Sequence, residues 1–361
     1  VSAIVFGGGI RKDGGQEMND SCFNALLCFG WMAAAIGVTA ADELPVLRRS
    51  FAEVDHPAAP FEGGRFEPRP GETIAFLGGT NTFEQDRFGF VETAFQLAWP
   101  DRDLHLRNLA WQGDTLFYQA RPRFFYTKEG DPQPGSIPDH RERTAPGIVF
   151  ICFGKMESME GHEDLPNFLA TYRGLLDQLR PLTGRIVLMA PTPFFPVGPA
   201  KIETGSRNER LASYAKGIEE LAKERGLLFV DLFAPLRDDA DPALSTNGIH
   251  LTEAGHRRVA ELMAGQLRFP GGAEITGKPA ASQSLRQAIA RKNHLWQQYY
   301  RPTNWAFLFG DRQHVPASRD PVERDQRWFV REVDALPGLI AETEADIHRY
   351  AREVASNEPK R

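Results

Sequence analysis

The chain has 361 residues, with 42 lysines and arginines against 48 aspartates and glutamates, and a formal net charge of −6. A protein that binds the nucleic-acid backbone needs a concentrated basic face, so this balance argues against nucleic acid as a partner. Hydrophobic residues make up 42% of the chain, and its 33 glycines and 26 prolines are spread along the sequence, which excludes a low-complexity or disordered protein.

The cysteines and histidines show no metal-binding pattern. The three cysteines, Cys22, Cys28 and Cys152, form neither a CxxC pair nor a disulfide framework. The nine histidines include no HExxH or CxxCH motif. We therefore expect no metal site and no cofactor.

The N-terminal region has the features of an export signal. Residues 25–38 are uncharged and mostly apolar, too few to span a bilayer, and small residues follow up to Ala40. We expect a signal peptide cleaved near Ala40, with residues 1–17 ahead of Met18 as an over-extended gene start. This predicts a periplasmic or secreted protein with no membrane segment in the mature chain. The alternative is a buried helix, and the oligomeric state stays open.

Beyond a Pro-rich lead-in over residues 41–71, short apolar runs alternate with segments of helical periodicity. We predict strands at 73–77, 104–109, 148–153, 186–189 and 227–230, which are continuously apolar, as strands covered on both faces are. Strand and helix in alternation predict an α/β fold: a three-layer α/β/α, flavodoxin-like domain over residues 72–269 with a parallel five-stranded sheet. A helical C-terminal extension is expected over residues 270–361.

Four helix features are expected. Apolar residues, among them Phe168 and Tyr172, recur at three- and four-residue steps between Leu165 and Leu179. Ser206 and Glu209 form a capping box for the next helix, which Gly226 ends. A third helix begins after Thr252. Pro337 is expected to bend the last helix.

In a doubly wound sheet the ligand site lies beyond the carboxyl ends of the strands, and the first such loop carries a candidate nucleophile. Gly78 and Gly79 precede Thr80, and we expect a helix from Gln85 onward. Glycines at a strand-to-helix turn let a hydroxyl residue project from the sheet, which makes Thr80 the candidate nucleophile. The same turn could cradle a phosphate, so a phosphate or nucleotide binder is an alternative.

A candidate base lies near the end of the sheet. Asn247 and His250 are three residues apart, in a turn just before the helix after Thr252. At this spacing a polar side chain can orient an imidazole, so His250 is the candidate general base.

Two further segments, 108–115 and 153–158, follow the second and third strands. With the two preceding motifs they resemble, in order, the four blocks of the SGNH, or GDSL, hydrolase superfamily over roughly residues 72–267. The Asn-Gly-Ile-His block at 247–250 and the Trp- and Arg-rich segments 301–305 and 309–312 are similar to those of esterase-like domains in planctomycete and verrucomicrobial secreted proteins. The resemblance implies a flavodoxin-like fold and an ester hydrolase.

Carried over by position, the resemblance places Thr80 on the nucleophilic serine, His250 on the base and Asn247 on the usual aspartate. Gly113 matches the glycine whose N–H helps to bind the oxyanion. Met156 stands where the superfamily has an asparagine that donates to the oxyanion, so the chain departs from the pattern there.

Residues beside these positions complete the expected oxyanion and substrate site. Gly79 and Asn81 flank the nucleophile, and Lys155 and Glu157 flank Met156. Asn81 or Lys155 could replace the amide that Met156 lacks, and Glu157 or Asp231 could supply negative charge to the imidazole.

Aromatic and basic residues suggest the substrate. A ring platform with arginines suits a sugar, and core packing is the alternative for these side chains. Residues 301–319, which include Trp305, Arg312, His314 and Arg319, are a candidate lid over the same site, with packing as the default interpretation. The platform residues are Trp111, Phe117, Tyr118, Arg121, Arg123, Phe124, Phe125 and Tyr126.

Taken together, the sequence predicts an ester hydrolase that removes acyl groups from a carbohydrate, with a small-molecule or polysaccharide ester as its partner. The alternative is a binding module that keeps the fold and a carbohydrate pocket after losing catalysis. The departures at Thr80, Met156 and Asn247 favour this alternative.

Overall fold

The computed structural model describes residues 50–119, 144–198, 203–239, 241–272, 281–308 and 312–356. The chain divides into two compact units, residues 1–37 and 38–361, and the described residues all lie in the second. The predicted signal peptide lies outside the described residues and stays a prediction.

A parallel five-stranded sheet forms the centre of the fold, in the order β2-β1-β3-β4-β5. The predicted α/β class and strand number are therefore confirmed, with strand ends within one residue of the expected ones. The strands are β1 (Thr73–Gly78), β2 (His105–Asn108), β3 (Ile148–Cys152), β4 (Ile186–Met189) and β5 (Leu228–Val230).

Helices cover both faces of the sheet. The first group is α1 (Thr80–Phe88), α2 (Phe90–Ala98), α3 (Leu165–Leu179), α4 (Thr204–Arg225), α5 (Phe233–Asp239) and α6 (Glu253–Gln266). The C-terminal group is α7 (Ala281–Tyr300), α8 (Trp305–Leu308) and α9 (Trp328–Ser356). Short 3-10 turns lie at Glu62–Gly64, Glu157–Glu160, Pro242–Leu244 and Pro316–Ser318.

The period-2 geometry of the strands divides the core in two. In β1, Ile74 and Phe76 face the layer that contains α2 and α6, whereas Ala75 and Leu77 face the layer that contains α3 and α4. All four side chains are fully or almost fully buried. A continuously apolar strand is thus explained by cover on both faces.

Two expected helix starts are wrong and one is confirmed. α4 begins at Thr204 with Glu203 as its N-cap, and the Ser206 hydroxyl bonds the Glu203 carbonyl instead of capping the helix. α1 begins at Thr80, five residues before the expected start, with Gly79 as its N-cap. α6 has the expected cap, with the Thr252 hydroxyl accepting from Gly255 N.

The C-terminal helices cover the β2 edge of the sheet. α7 and α9 pack together, and α7 also contacts α1 and α2. Edge strands expose unpaired backbone groups, and here side chains bind several of them: His348 contacts the Leu104 carbonyl, Lys292 the Leu106 carbonyl and Trp296 the Asn108 carbonyl. Pro337 lies inside α9, which continues to Ser356.

Candidate active site

A pocket of about 590 Å³, partly open to solvent, lies at the carboxyl end of the sheet. It is lined by the loops after β1, β2, β3 and β4 and by the turn that precedes α6. The structure brings eight of the nine predicted site residues into its lining: Gly79, Thr80, Asn81, Gly113, Lys155, Met156, Glu157 and His250. The ninth, Asn247, contacts the ring of His250.

Close packing explains the two glycines of the β1–α1 turn. A Cβ on Gly78 would lie 2.4 Å from Thr82 Oγ1 and 2.8 Å from the Cys152 carbonyl oxygen. A Cβ on Gly79 would lie 2.8 Å from the Asp114 carbonyl oxygen. Any larger residue at Gly79 would therefore have to displace the backbone of the β2 loop.

The Thr80 hydroxyl lies beside a backbone donor. Gly113, with a φ of 82° that favours glycine, directs its N–H at Thr80 Oγ1 over 3.3 Å. Thr80 is also the first residue of α1, so its own N–H has no acceptor within the helix. Two backbone donors thus flank the hydroxyl, an arrangement suited to a developing oxyanion.

Asn247 organises the turn that carries His250. Its side-chain Oδ1 accepts from Ile249 N at 3.1 Å and from His250 N at 2.9 Å. Its Nδ2 lies 3.2 Å from His250 Nδ1. The spacing of three residues therefore brings the polar group to the imidazole, as predicted.

Asn81 ties this turn to the nucleophile loop. Its Nδ2 donates to the Ile249 carbonyl at 3.0 Å and to Thr192 Oγ1 at 3.3 Å, and its Oδ1 accepts from Leu251 N at 3.2 Å. Asn81 therefore holds the backbone on both sides of His250 while it lies next to Thr80 in the chain.

Lys155 is buried in the wall of the pocket. Its Nζ donates to Thr192 Oγ1 at 3.2 Å, to the Pro193 carbonyl at 2.9 Å and to the Ile249 carbonyl at 2.9 Å. Burial lowers the pKa of Lys155 to about 7, because its charged form is desolvated. The ammonium also lies 5.1 Å from the centre of the Phe194 ring.

Neither Asn81 nor Lys155 therefore replaces the amide that Met156 lacks. Both Nδ2 hydrogens of Asn81 and all three Nζ donors of Lys155 are used by acceptors of the protein itself. Met156 presents an apolar side chain that is 47% exposed. Among the described residues, the N–H groups of Gly113 and Thr80 are the donors this geometry places at the nucleophile.

The two acids expected to support the imidazole bind elsewhere. Glu157 is 3% exposed and accepts from Leu116 N at 2.6 Å and from Gly154 N at 2.9 Å. Burial raises the pKa of Glu157, which these backbone N–H groups partly offset. Asp231 caps α5 by accepting from Phe233 N and Ala234 N, and it is absent from the described pocket lining. Neither acid is bonded to His250; Asn247 alone orients the ring within the described contacts.

The expected aromatic platform is only partly described. Trp111 and Phe117 pack against the core, whereas Tyr118 is 80% exposed. The remaining platform residues, Arg121, Arg123, Phe124, Phe125 and Tyr126, lie outside the described residues.

None of the described part of 301–319 lines the pocket, which agrees with the default interpretation of packing and not with a lid. Arg301 instead lies behind the β2 loop, where it donates to the carbonyls of Asn108 and Ala110. Its guanidinium also stacks 4.5 Å from the centre of the Phe83 ring.

Among the lining residues that sequence reasoning missed, Thr192 and Cys152 stand out. Thr192, between two prolines directly after β4, accepts from both Asn81 and Lys155. The sequence feature that could have identified Thr192 is a polar residue in a loop at the carboxyl end of a buried strand. Cys152, the last residue of β3, also lines the pocket, and burial raises the pKa of its thiol to about 12.

Two negative findings concern the described ranges only. No group of three histidine, cysteine, aspartate or glutamate side chains there could hold a metal ion. In the same ranges no helix is both long and apolar enough to cross a membrane.

Comparison with known proteins gives a family match over most of the described sheet domain. Residues 82–258 match the model of the GDSL-like lipase/acylhydrolase family. No curated protein matches the sequence.

Among solved structures, a gut microbial diltiazem-metabolizing enzyme, BT4096, matches at 13% identity with a TM-score of 0.51 over 80% of this chain and 97% of that chain. The acetylxylan esterase Axe2 of Geobacillus stearothermophilus matches at 20% identity with a TM-score of 0.42 over 56% of this chain and 96% of that chain. At 13% identity, the likeness to BT4096 shows the fold alone.

Proposed function

Since residues 82–258 belong to the GDSL-like lipase/acylhydrolase family, a family of ester hydrolases, we propose that this chain removes an acyl group from a carbohydrate ester. One observation carries the proposal: Thr80 and His250 line the same pocket, and the Gly113 N–H is directed at Thr80 Oγ1. A hydroxyl, an imidazole and an oxyanion donor are the three groups that acyl transfer needs.

In the proposed reaction, Thr80 Oγ1 attacks the ester carbonyl carbon and His250 Nε2 takes the hydroxyl proton. The Gly113 and Thr80 N–H groups hold the oxyanion of the tetrahedral intermediate. Its collapse breaks the bond to the sugar oxygen, which leaves with the proton from His250, and an acyl-Thr80 ester remains. Water, deprotonated by His250, then releases the carboxylic acid and restores Thr80.

The pocket and its surroundings support the substrate class. Cys152, Phe153, Pro191 and Ile249 give the pocket apolar walls that fit a short acyl chain. The exposed Tyr118, on the same loop as Gly113, offers a ring face for a sugar. With the predicted signal peptide, we place this activity in the periplasm or outside the cell.

The test compares the full chain with His250→Ala on activated acetyl esters and acetylated polysaccharides. We expect turnover that His250→Ala abolishes, and that Thr80→Ser raises, because serine lacks the methyl group that stiffens χ1 and crowds the attack. His294→Ala, at an exposed histidine of α7, is the matched control and should leave turnover unchanged.

A carbohydrate-binding module without catalysis is the second candidate. Met156, which supplies no amide at the pocket, and the amide in place of a carboxylate at Asn247 favour it. Folded protein that binds acetylated polysaccharide but shows no turnover above His250→Ala would replace the first proposal by this one.

A further inference from the structure

The orientation of the Asn247 amide is set by groups that can only donate. Its Oδ1 accepts from two backbone N–H groups, those of Ile249 at 3.1 Å and His250 at 2.9 Å. Turning the amide over would place its NH₂ group against both donors and would leave them without an acceptor. The oxygen is therefore committed to the backbone.

This orientation decides what faces the imidazole. Asn247 Nδ2 lies 3.2 Å from His250 Nδ1, and an amide nitrogen donates but does not accept. The ring nitrogen must be the acceptor, so Nδ1 carries the lone pair and the ring proton lies on Nε2.

A general base at Nε2 requires the opposite tautomer. Its proton must lie on Nδ1, where it would meet the amide hydrogens of Asn247 instead of an acceptor. We propose that Asn247 holds His250 in the Nε2–H tautomer and thereby limits proton transfer from Thr80. The effect on turnover rests on the proposed function, in which His250 is the base, whereas the tautomer itself does not.

An aspartate at this position would resolve the conflict without changing the turn. One carboxylate oxygen can keep the two backbone N–H bonds, and the other can accept from a proton on Nδ1, because a carboxylate has only acceptors. In a serine protease, replacing the aspartate beside the catalytic histidine by asparagine lowers turnover by about 10⁴. We therefore expect Asn247→Asp to raise kcat by about 10² to 10⁴.

The experiment measures the tautomer of His250 directly and independently of activity. The full chain is labelled with ¹⁵N-histidine, and the ring nitrogen shifts and couplings show which nitrogen carries the proton. His250→Gln identifies the His250 signals by their loss. Thr246→Asp is the matched control, because it adds the same charge at an exposed neighbouring position without replacing the amide.

We expect Nε2–H in the unmodified protein and in Thr246→Asp, and Nδ1–H with raised turnover in Asn247→Asp. A proton on Nδ1 of the unmodified protein would overturn the inference, whatever the variants do. An Asn247→Asp protein that keeps the Nε2–H tautomer would also overturn it. The expected tautomers in proteins that hydrolyse no ester would uphold the inference and refute the proposed function.

Discussion

Lys155 shows how a single buried side chain can serve the site without touching the reacting atoms. Its three hydrogen bonds all go to neutral acceptors, and one of these, the Ile249 carbonyl, lies next to His250 in the chain. Asn81 donates to the same carbonyl. The two side chains together fix the turn that presents the imidazole.

Because burial lowers the pKa of Lys155, the free energy of unfolding should depend on pH. Because burial lowers its pKa to about 7 from 10.5, the unfolded chain binds a proton at this site between about pH 7 and 10.5 that the folded chain does not. The contribution of Lys155 to the free energy of unfolding should therefore rise with pH through that window, by about 1.4 kcal/mol per pH unit.

The measurement is urea unfolding at pH 7, 8 and 9 of the unmodified chain, Lys155→Met and Lys216→Met, an exposed lysine of α4 that serves as the control. The difference between the unmodified chain and Lys155→Met should grow with pH, and Lys216→Met should show no such growth. A difference that stays constant would show that the amine stays protonated in the folded protein.

At the scale of elements, α7 and its C-terminal end support the loop that carries Gly113. Arg301 follows α7 directly, donates to the carbonyls of Asn108 and Ala110, and lies over the Phe83 ring of α1. Trp296 of α7 donates to the Asn108 carbonyl at 2.8 Å. An element far along the chain thus positions the loop that supplies an oxyanion donor.

Removal of the Arg301 guanidinium should loosen this loop. For Arg301→Ala we expect a loss in kcat of about 10- to 100-fold, since a small misplacement of a reacting group has effects of that size, with a smaller change in KM. The measurement is steady-state hydrolysis of an activated acetyl ester, with circular dichroism to verify folding. Arg312→Ala, an exposed arginine of the same C-terminal part, should behave as the unmodified chain. Equal losses in the two variants would contradict the assignment to the loop.

At the scale of the whole molecule, buried ion pairs join the C-terminal helices to the sheet domain. Lys292 of α7 and Glu92 of α2 are 2.7 Å apart, and both side chains are almost fully buried. On α9, burial alone would raise the pKa of Glu344, but hydrogen bonds from His105 and Arg107 of β2 outweigh it and hold that pKa well below its usual range. Because these pairs bridge the two parts, we expect the described residues of both to unfold together.

Lys292→Met should destabilise the whole molecule, because Glu92 loses its buried partner. Breaking a buried pair costs about 3 to 5 kcal/mol, whereas replacing both partners by apolar residues costs less, so Lys292→Met with Glu92→Leu should recover part of the loss. Burial already raises the pKa of Glu92 against the opposing charge of Lys292, so removing Lys292 should raise it further.

The destabilisation should therefore depend on pH. When folding raises the pKa of a carboxyl, the folded protein becomes less stable as pH rises above the pKa that the group has in the unfolded chain. The loss of stability in Lys292→Met should therefore be larger at pH 8 than at pH 5. Denaturant unfolding at both pH values measures it. A loss below about 1 kcal/mol at pH 8 would show that the pair contributes little to stability.

The strands and most helices could be predicted from the sequence because their signals are local. An apolar run such as Ile186–Met189 needs cover on both faces, and the spacing of apolar residues from Leu165 to Leu179 marks one face of a helix. The start of α1 could not be predicted in this way. Gly79, the N-cap before it, lies against the Asp114 carbonyl, which belongs to a loop more than thirty residues away.

The site also divides into features that the sequence predicts and features that depend on tertiary contacts. The sequence by itself determined the order of the strands along the chain, the glycine turn, and the residues Thr80, Gly113 and His250 that the carboxyl edge of a parallel sheet brings to one pocket. Only the tertiary structure decided which way the Asn247 amide points and where the donors of Asn81 and Lys155 are used. Hydrogen bonds have direction, and their partners here come from loops far apart in the chain, so residue type and spacing alone do not fix them.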